Sequence, residues 1–227
     1  MGEILIKIGL FIGAYLVGSI PNGLWIGKLF KKIDLREEGS KNIGASNAFR
    51  ILGFWLGFFT LILDVLKSAL VVLIIKYLLP ESYSIITLFN LNLNITIIYG
   101  LSAILGHSYS VFLKFKGGKA VAASLGVVFS LTPLIGVIAL LTYIIVVLTT
   151  HYASLGSTIA TLLVGVGTMI RHFLLTPEKR DLLSLIIYWV IIVIIIIRHL
   201  PNYKRLLKKE ENKLYFTNPK KNRNSSK

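Results

Sequence analysis

The stretch AVAASLGVVFSLTPLIGVIALLTYIIVVLTT, Ala120 to Thr150, decides the fold. Read as one helix it would be about 46 Å long, well beyond the roughly 30 Å of a bilayer's hydrocarbon core. Thr132-Pro133 lies near its middle. Proline lacks a backbone N–H and its ring clashes with the preceding turn, while the residue before it is pushed out of the helical region. The stretch therefore reads as two short helices broken at Pro133. Apolar runs elsewhere cover Ile4 to Ile26, Leu52 to Leu79, Ile95 to Phe112, Ser154 to Ile170 and Leu182 to Ile197. With Val121 to Leu131 and Pro133 to Leu148 counted separately, the expected fold is an all-α, seven-transmembrane-helix bundle.

Charge supplies an independent check on the count. Seven crossings place three basic segments on one side: the glycine-bearing Gly39 to Arg50 and Gly106 to Ala122, and Arg198 to Glu211. Six would put the third opposite the other two. On the seven-span reading 19 of the 25 Lys and Arg residues lie on the motif side and five on the other, with Lys67 inside a span. Cytoplasmic loops carry the excess of Lys and Arg, so the motif side and the C-terminus are expected in the cytoplasm and the N-terminus outside. Arg171 to Asp181 is a polar loop on the outer side.

The 227 residues are 55% hydrophobic, with mean hydropathy +0.75, far from a soluble composition. Residues 1–205 are expected to form one transmembrane domain and 206–227 a basic, disordered cytoplasmic tail whose lysines touch anionic head groups. In such a chain a net charge of +15 is accounted for by membrane topology without nucleic acid. Cysteine is absent, which excludes disulfides, thiolate metal sites and thiol nucleophiles. The first apolar run lacks a small-residue cleavage site and continues into GSIPNG at Gly18 to Gly23, so it reads as an uncleaved helix.

Phosphate recognition needs several N–H donors and a fixed cation. Gly117-Gly118-Lys119 immediately precedes an apolar helix, whose first N–H groups and positive dipole end would add to the lysine charge. GxxxxGK[ST] is absent, so this is not a Walker A loop. Gly39 to Asn47 has the same character, offering Ser40, Asn42, Gly44, Ser46 and Asn47 as donors, with Arg50 one turn later to clamp a phosphate. Asp34 and Arg36 order the preceding loop through local ion pairs. His107 ends a span, and an HxxxxD dyad is excluded because Phe112 stands at the aspartate position. His199 and Asn202, spaced i, i+3, would face one substrate if Pro201 sits in a helix's first turn. Asp64 and Lys67 have the same spacing inside a span and can pair away from lipid. Ser154 begins a span near the same zone.

These segments, with LDVLKS and YASLGS between them, resemble the bacterial acyl-phosphate:glycerol-3-phosphate acyltransferases, the PlsY family, over residues 10–213. The resemblance implies a seven-helix enzyme of the bacterial inner membrane with its active site at the cytoplasmic face. It would move a fatty acyl group from acyl phosphate to the 1-hydroxyl of glycerol 3-phosphate, the first acylation of phospholipid synthesis. It implies Ser40, Arg50, His199 and Asn202 as catalytic residues, Gly117, Gly118 and Lys119 as phosphate binders and Glu211 as structural. Partners are the two substrates and membrane lipids; a monomer is expected, without cofactor or metal. Lys41, Ala120 and Lys209 stand where the family usually has glycine, Ser46 and Ala123 where it has threonine. Ala120 is expected to be harmless on the premise of negative φ.

Acyl phosphate is a mixed anhydride that carries its own leaving group, so the enzyme's tasks are to hold two anions together and stabilise charge on the carbonyl oxygen. The proton from the attacking hydroxyl can go to His199 or to a substrate phosphate, the second route being slightly favoured. Three rivals explain less. An anion transporter would want a second polar cluster on the opposite side, a lipid-binding protein would not need Ser40, Arg50, His199 and Asn202 together, and a CDP-alcohol phosphotransferase would carry paired metal-binding aspartates.

Overall fold

A computed structural model describes residues 2–88, 91–174 and 181–216. The chain opens with α1 (Gly2–Ser19) and α2 (Asn22–Lys31), two parts of one apolar stretch interrupted at Ile20-Pro21. The break leaves carbonyls without helical partners, and side chains take them: Ser110 Oγ donates to Ser19 O at 2.6 Å and Lys67 Nζ to Ile20 O at 2.8 Å. The short α3 (Ala45–Leu52) turns through Gly53, φ +94°, into the long α4 (Phe54–Tyr77). Beyond α4 a hairpin pairs β1 (Ile85–Leu88) antiparallel to β2 (Leu91–Asn94). This departs from the all-α expectation, and the period-2 LNLN of β2 is its sequence signal. Lys7 Nζ caps the hairpin at Ile85 O, 2.7 Å.

Helix α5 (Thr96–Ser108) stops short of Phe112 and gives way to a 3₁₀ turn at Val111–Leu113. The decisive stretch breaks where expected, into α6 (Val121–Leu131) and α7 (Pro133–Thr150), with Pro133 in the first turn of α7. Then follow α8 (Ala153–Leu174) and α9 (Leu182–Leu207). Among the described residues six segments are long and apolar enough to cross a membrane. The exception, α6, has 11 residues and a length of about 17 Å, roughly half the hydrocarbon core.

Short as it is, α6 sits at the centre. Its Ala123, Val127 and Val128 join Val72 of α4, Ile97 and Ile104 of α5, Val164 of α8 and Ile191 and Ile195 of α9 in the main core. Small residues permit this closeness. A Cβ on Gly126 would stand 2.2 Å from Val65 O of α4, and one on Gly106 2.1 Å from Tyr15 O of α1, so these helices meet backbone to backbone. By contrast α7 buries only Gly136, Ala139 and Val147, and directs Leu134, Leu141, Ile145 and Leu148 outward, as a helix facing lipid can.

Two further expectations change. Pro201 lies inside α9, not in a first turn, and the helix continues to Leu207. The chain beyond 205 is also packed. Leu214 is 1% exposed, donates its N–H to His151 O at 2.7 Å and joins Ala45, Phe49, Val147 and Ala153 in a second core cluster. The packed structure thus extends to Phe216, past the boundary drawn at 205; residues 217–227 lie outside the described residues, as do 175–180 of the polar loop expected on the outer side.

Candidate functional site

The first motif is held by one amide. Asn47, 1% exposed, donates from Nδ2 to Leu35 O and Glu38 O at 3.2 and 3.0 Å, and its Oδ1 accepts from Ser40 N at 3.0 Å. All its polar valences serve the loop, so Asn47 shapes the site and has no donor left for substrate. Asn42 Oδ1 accepts from Gly44 N, and Gly44 caps α3. Outside, Arg36 and Lys28 hold Asp34 at 2.6 and 3.3 Å, chiefly Arg36 keeping its carboxyl well below the usual range. One turn into α3, Ser46 Oγ lies 3.4 Å from Tyr143 Oη of α7. Arg50, 4% exposed, donates from Nε to Lys213 O at 2.9 Å and from Nη2 to Asn212 O at 3.1 Å, tying α3 to the C-terminal strap. Burial pushes its guanidinium pKa down, and the Glu211 carboxylate offsets part of that.

The second and third motifs meet in a chain of charges. Lys119 Nζ donates to Asn202 Oδ1 at 2.6 Å, Asn202 Nδ2 to Glu211 Oε1 at 2.6 Å, and Arg205 Nε to Glu211 Oε2 at 2.8 Å. Glu211 thereby orients Asn202, whose oxygen is turned to the lysine. Lys119 has no direct carboxylate contact among the described residues. Burial lowers its pKa to about 8, Arg205, Arg50 and Arg198 pushing the same way and Glu211 opposing them. On the same face of α9, one turn before Asn202, His199 Nδ1 lies 2.8 Å from Ile195 O. A carbonyl only accepts, so Nδ1 carries the hydrogen and neutral His199 keeps a lone pair on Nε2.

The glycines of the second motif serve another purpose than expected. Gly118 N–H donates to His107 O at 3.0 Å, and a Cβ there would stand 2.1 Å from His107 Nε2. A Cβ on Gly117 would stand 2.2 Å from His107 O. Their carbonyls accept from Arg198, Nη2 at 2.9 and 2.8 Å and Nε at 3.2 Å. Gly117 and Gly118 let the loop lie against His107 and under Arg198, and that close approach places Lys119. Ala120, fully buried, closes the loop at φ +72°, correcting the negative φ expected of it. Lys41 at +57° and Lys209 at +62° adopt the same left-handed region. All three positions, where the resemblance led glycine to be expected, are ones at which glycine is the unstrained residue.

His107 is held within the membrane-embedded cluster around Asp64. Asp64 Oδ1 accepts from Asn22 Nδ2 at 3.0 Å, pairs with Lys67 Nζ at 2.9 Å and lies 3.6 Å from His107 Nδ1. Since Lys67 also binds Ile20 O, the cluster pins the α1–α2 break to α4 and α5.

These groups surround one cavity of about 530 Å³. Ser40, Asn42, Arg50, Lys119, His199 and Asn202 line it, as do Gly44, Ser46, His107, Ser154 and Glu211 from the sequence reading; Gly117, Gly118 and Lys67 do not. Its largely apolar lining comes from α6, α8 and α9, with Ser157, Ala160, Val164, Tyr188, Ile191 and Ile195, and from α4 and α7, with Phe58, Ile62 and Ile144. The hydroxyls of Ser154 and Ser124 are buried on its wall without a partner among the described residues. Sequence reasoning missed Tyr143, Ser124 and Arg198; a lone phenol in the apolar α7 was the readable signal for the first.

A family model described as "Glycerol-3-phosphate acyltransferase" matches residues 8–209. A glycerol-3-phosphate acyltransferase of Acholeplasma laidlawii is 38% identical over 224 residues, covering 93% of this chain and 94% of that protein. One from Fusobacterium nucleatum subsp. nucleatum is 43% identical over 202 residues, covering 89% and 95%. The crystal structure of PlsY (YgiH), an integral membrane glycerol 3-phosphate acyltransferase, in its glycerol 3-phosphate form superposes with a TM-score of 0.77 at 34% identity, covering 92% of this chain and 96% of that one. Its lysophosphatidic acid form gives 0.74 at 32%, with the same coverage.

Proposed function

Because the chain belongs to the glycerol-3-phosphate acyltransferase family and is therefore a membrane acyltransferase, we propose that it transfers a fatty acyl group from acyl phosphate to the 1-hydroxyl of glycerol 3-phosphate, giving lysophosphatidic acid and inorganic phosphate. The observation that carries this reading is the union, in one cavity, of the buried Arg50 and the half-buried Lys119 with a largely apolar lining. The cations suit two phosphates, the apolar lining suits one acyl chain, and the reacting carbonyl belongs at their junction.

In the proposed reaction Lys119 and Arg50 hold the phosphates, with Ser40, Asn42 and Ser46 as neutral donors and Ser154 offering its unpartnered hydroxyl. The glycerol 1-hydroxyl attacks the acyl carbonyl carbon, forming the new C–O bond; the tetrahedral adduct collapses by breaking the C–O bond to phosphate, which leaves with its electron pair. Fixed donors stabilise the oxyanion between those events. The hydroxyl proton passes to a substrate phosphate, whose second pKa is about 6. His199, keeping its Nε2 lone pair, orients the hydroxyl, so His199→Gln is expected to retain measurable activity. Complete loss in folded protein would make His199 the base.

The proposed topology has seven crossings, α1 with α2 counting as one and α6 as a short seventh buried among the others. The N-terminus is then outside, the site faces the cytoplasm of a bacterial plasma membrane, and the enzyme acts as a monomer without cofactor or metal. Supporting the arrangement, Lys119 at the start of α6 meets Asn202 late in α9, whereas Thr132 Oγ1 at the other end of α6 lies 3.4 Å from Tyr188 Oη early in α9. A cysteine-free chain suits single-cysteine labelling: Ser82→Cys should react from outside intact cells and Lys208→Cys only after permeabilisation. Equal molar yields of lysophosphatidic acid and inorganic phosphate from purified protein test the reaction, and phosphate without acylated product would refute it.

A further inference from the structure

The residues that line the cavity reach as far as Tyr188 on α9 and Val164 on α8. Along α9 the residues Tyr188, Ile191, Ile192, Ile195, His199 and Asn202 form one buried stripe that lines the cavity from floor to polar mouth. Opposite them α8 presents small residues, Ser157 and Ala160, before Val164. The narrow side chains of α8 leave the space, and the isoleucines of α9 make it apolar. Beside Val164 helix α8 packs directly on α9: a Cβ on Gly165 would stand 2.7 Å from Ile192 Cδ1 and 3.3 Å from Trp189. The Tyr188 hydroxyl, 3.4 Å from Thr132 Oγ1 at the α6–α7 break, ties the floor to α7. Tyr188 is 4% exposed, and no residue before it on α9 lines the cavity.

We propose that this slot selects the acyl chain by length, with Tyr188 as the residue that sets the limit. The inference rests on the acyltransferase reading for the identity of the occupant. His199 to Tyr188 is eleven residues of helix, about 16 to 17 Å of depth. Tetrahedral carbon–carbon bonds of about 1.5 Å advance an extended chain by about 1.3 Å each. With the carbonyl beside His199, the slot takes about 13 further carbons, so chains near 14 carbons fill it. Each methylene withdrawn from water adds up to about a fourfold gain in binding until the floor is met, after which a further one meets the phenol ring. On the α4 side the cavity is lined by residues that also face outward: Phe54, Phe58 and Ile62 are 37–43% exposed. A chain lying there would trail into the bilayer and length would hardly matter.

The test is competition among acyl phosphates of 10 to 18 carbons, for the parent protein, Tyr188→Ala and Ala160→Leu, with lysophosphatidic acid products separated by mass. Non-transferable alkyl phosphates of the same lengths, scored by thermal stabilisation, report chain binding without transfer. Expected is a parent optimum near 14 carbons, an at least tenfold gain in the ratio of 18- to 14-carbon product for Tyr188→Ala, and a shift of the optimum to shorter chains for Ala160→Leu. Where Tyr188→Ala does not fold, the Ala160→Leu shift decides alone. Identical length profiles in folded variants and parent would overturn the slot and place the chain between α4 and α7. Length-graded stabilisation that moves with the variants, in a protein that acylates nothing, would uphold the slot and refute the acyltransferase reading; stabilisation independent of length would overturn the slot itself.

Discussion

Lys119 offers the sharpest quantitative consequence of the site. Its ammonium is lowered from 10.5 to about 8, first by burial and then by three arginines, and its direct partner is the neutral Asn202. Protonated Lys119 is the form that attracts phosphate, so activity should be lost as pH rises through that value. With a pKa of about 8, roughly nine-tenths of the free enzyme is charged at pH 7 and one-tenth at pH 9, a tenfold fall in competent enzyme. A lysine at its ordinary 10.5 would stay almost fully charged across that range. The assay is kcat/KM for glycerol 3-phosphate from pH 6.5 to 9.5, with spontaneous acyl phosphate hydrolysis subtracted. Expected is an alkaline limb near pH 8 in kcat/KM, displaced upward in kcat because bound phosphate favours the charged lysine. Lys119→Arg, whose charge does not titrate, should lose the limb even where its absolute activity is lower. A flat profile to pH 9.5, or the same limb in Lys119→Arg, would refute the assignment. The apoprotein should respond with the opposite sign. The folded-state pKa lies below the unfolded one, so the unfolded chain binds more protons between pH 8 and 10.5, and from Lys119 alone stability rises with pH across that window.

Other consequences follow from packing. Gly118→Ala forces a methyl into the buried His107 ring, and the melting temperature in detergent should drop by several degrees, an overpacking cost of about 1–3 kcal/mol. A chain ended after Phe216 should keep its stability, whereas one ended after Glu210 removes the Arg50 acceptors and the carboxylate behind Asn202, a loss of about 3–5 kcal/mol read as a lower melting temperature. Lys41→Gly and Lys209→Gly should be neutral to stabilising by up to about 1 kcal/mol, while a β-branched residue at either site destabilises.

Features written into covalent chemistry or helical spacing were readable beforehand. Pro133 breaks the long stretch because proline carries no N–H, and Asp64 pairs with Lys67 because three residues return a helix to the same face. Features that depend on which segments approach one another were not. Gly118 looks like a phosphate loop until His107 is seen against it, and Asn47 looks like a ligand until three loop backbone groups are seen to occupy its amide. The strap from Glu211 to Phe216 reads as polar tail because its anchors, Arg50 and His151, lie far away in sequence. The left-handed turns at Lys41, Ala120 and Lys209 were hidden for a simpler reason, since the glycine that marks such a turn is missing from each.

The most direct test of the central claim is a contest between donors. Purified protein in detergent or monoolein is given labelled glycerol 3-phosphate with acyl phosphate or with acyl-CoA of the same chain, and labelled lysophosphatidic acid is counted. Product from acyl phosphate alone is the expected result. Product from acyl-CoA in its absence, or none from either donor in folded protein, would contradict it.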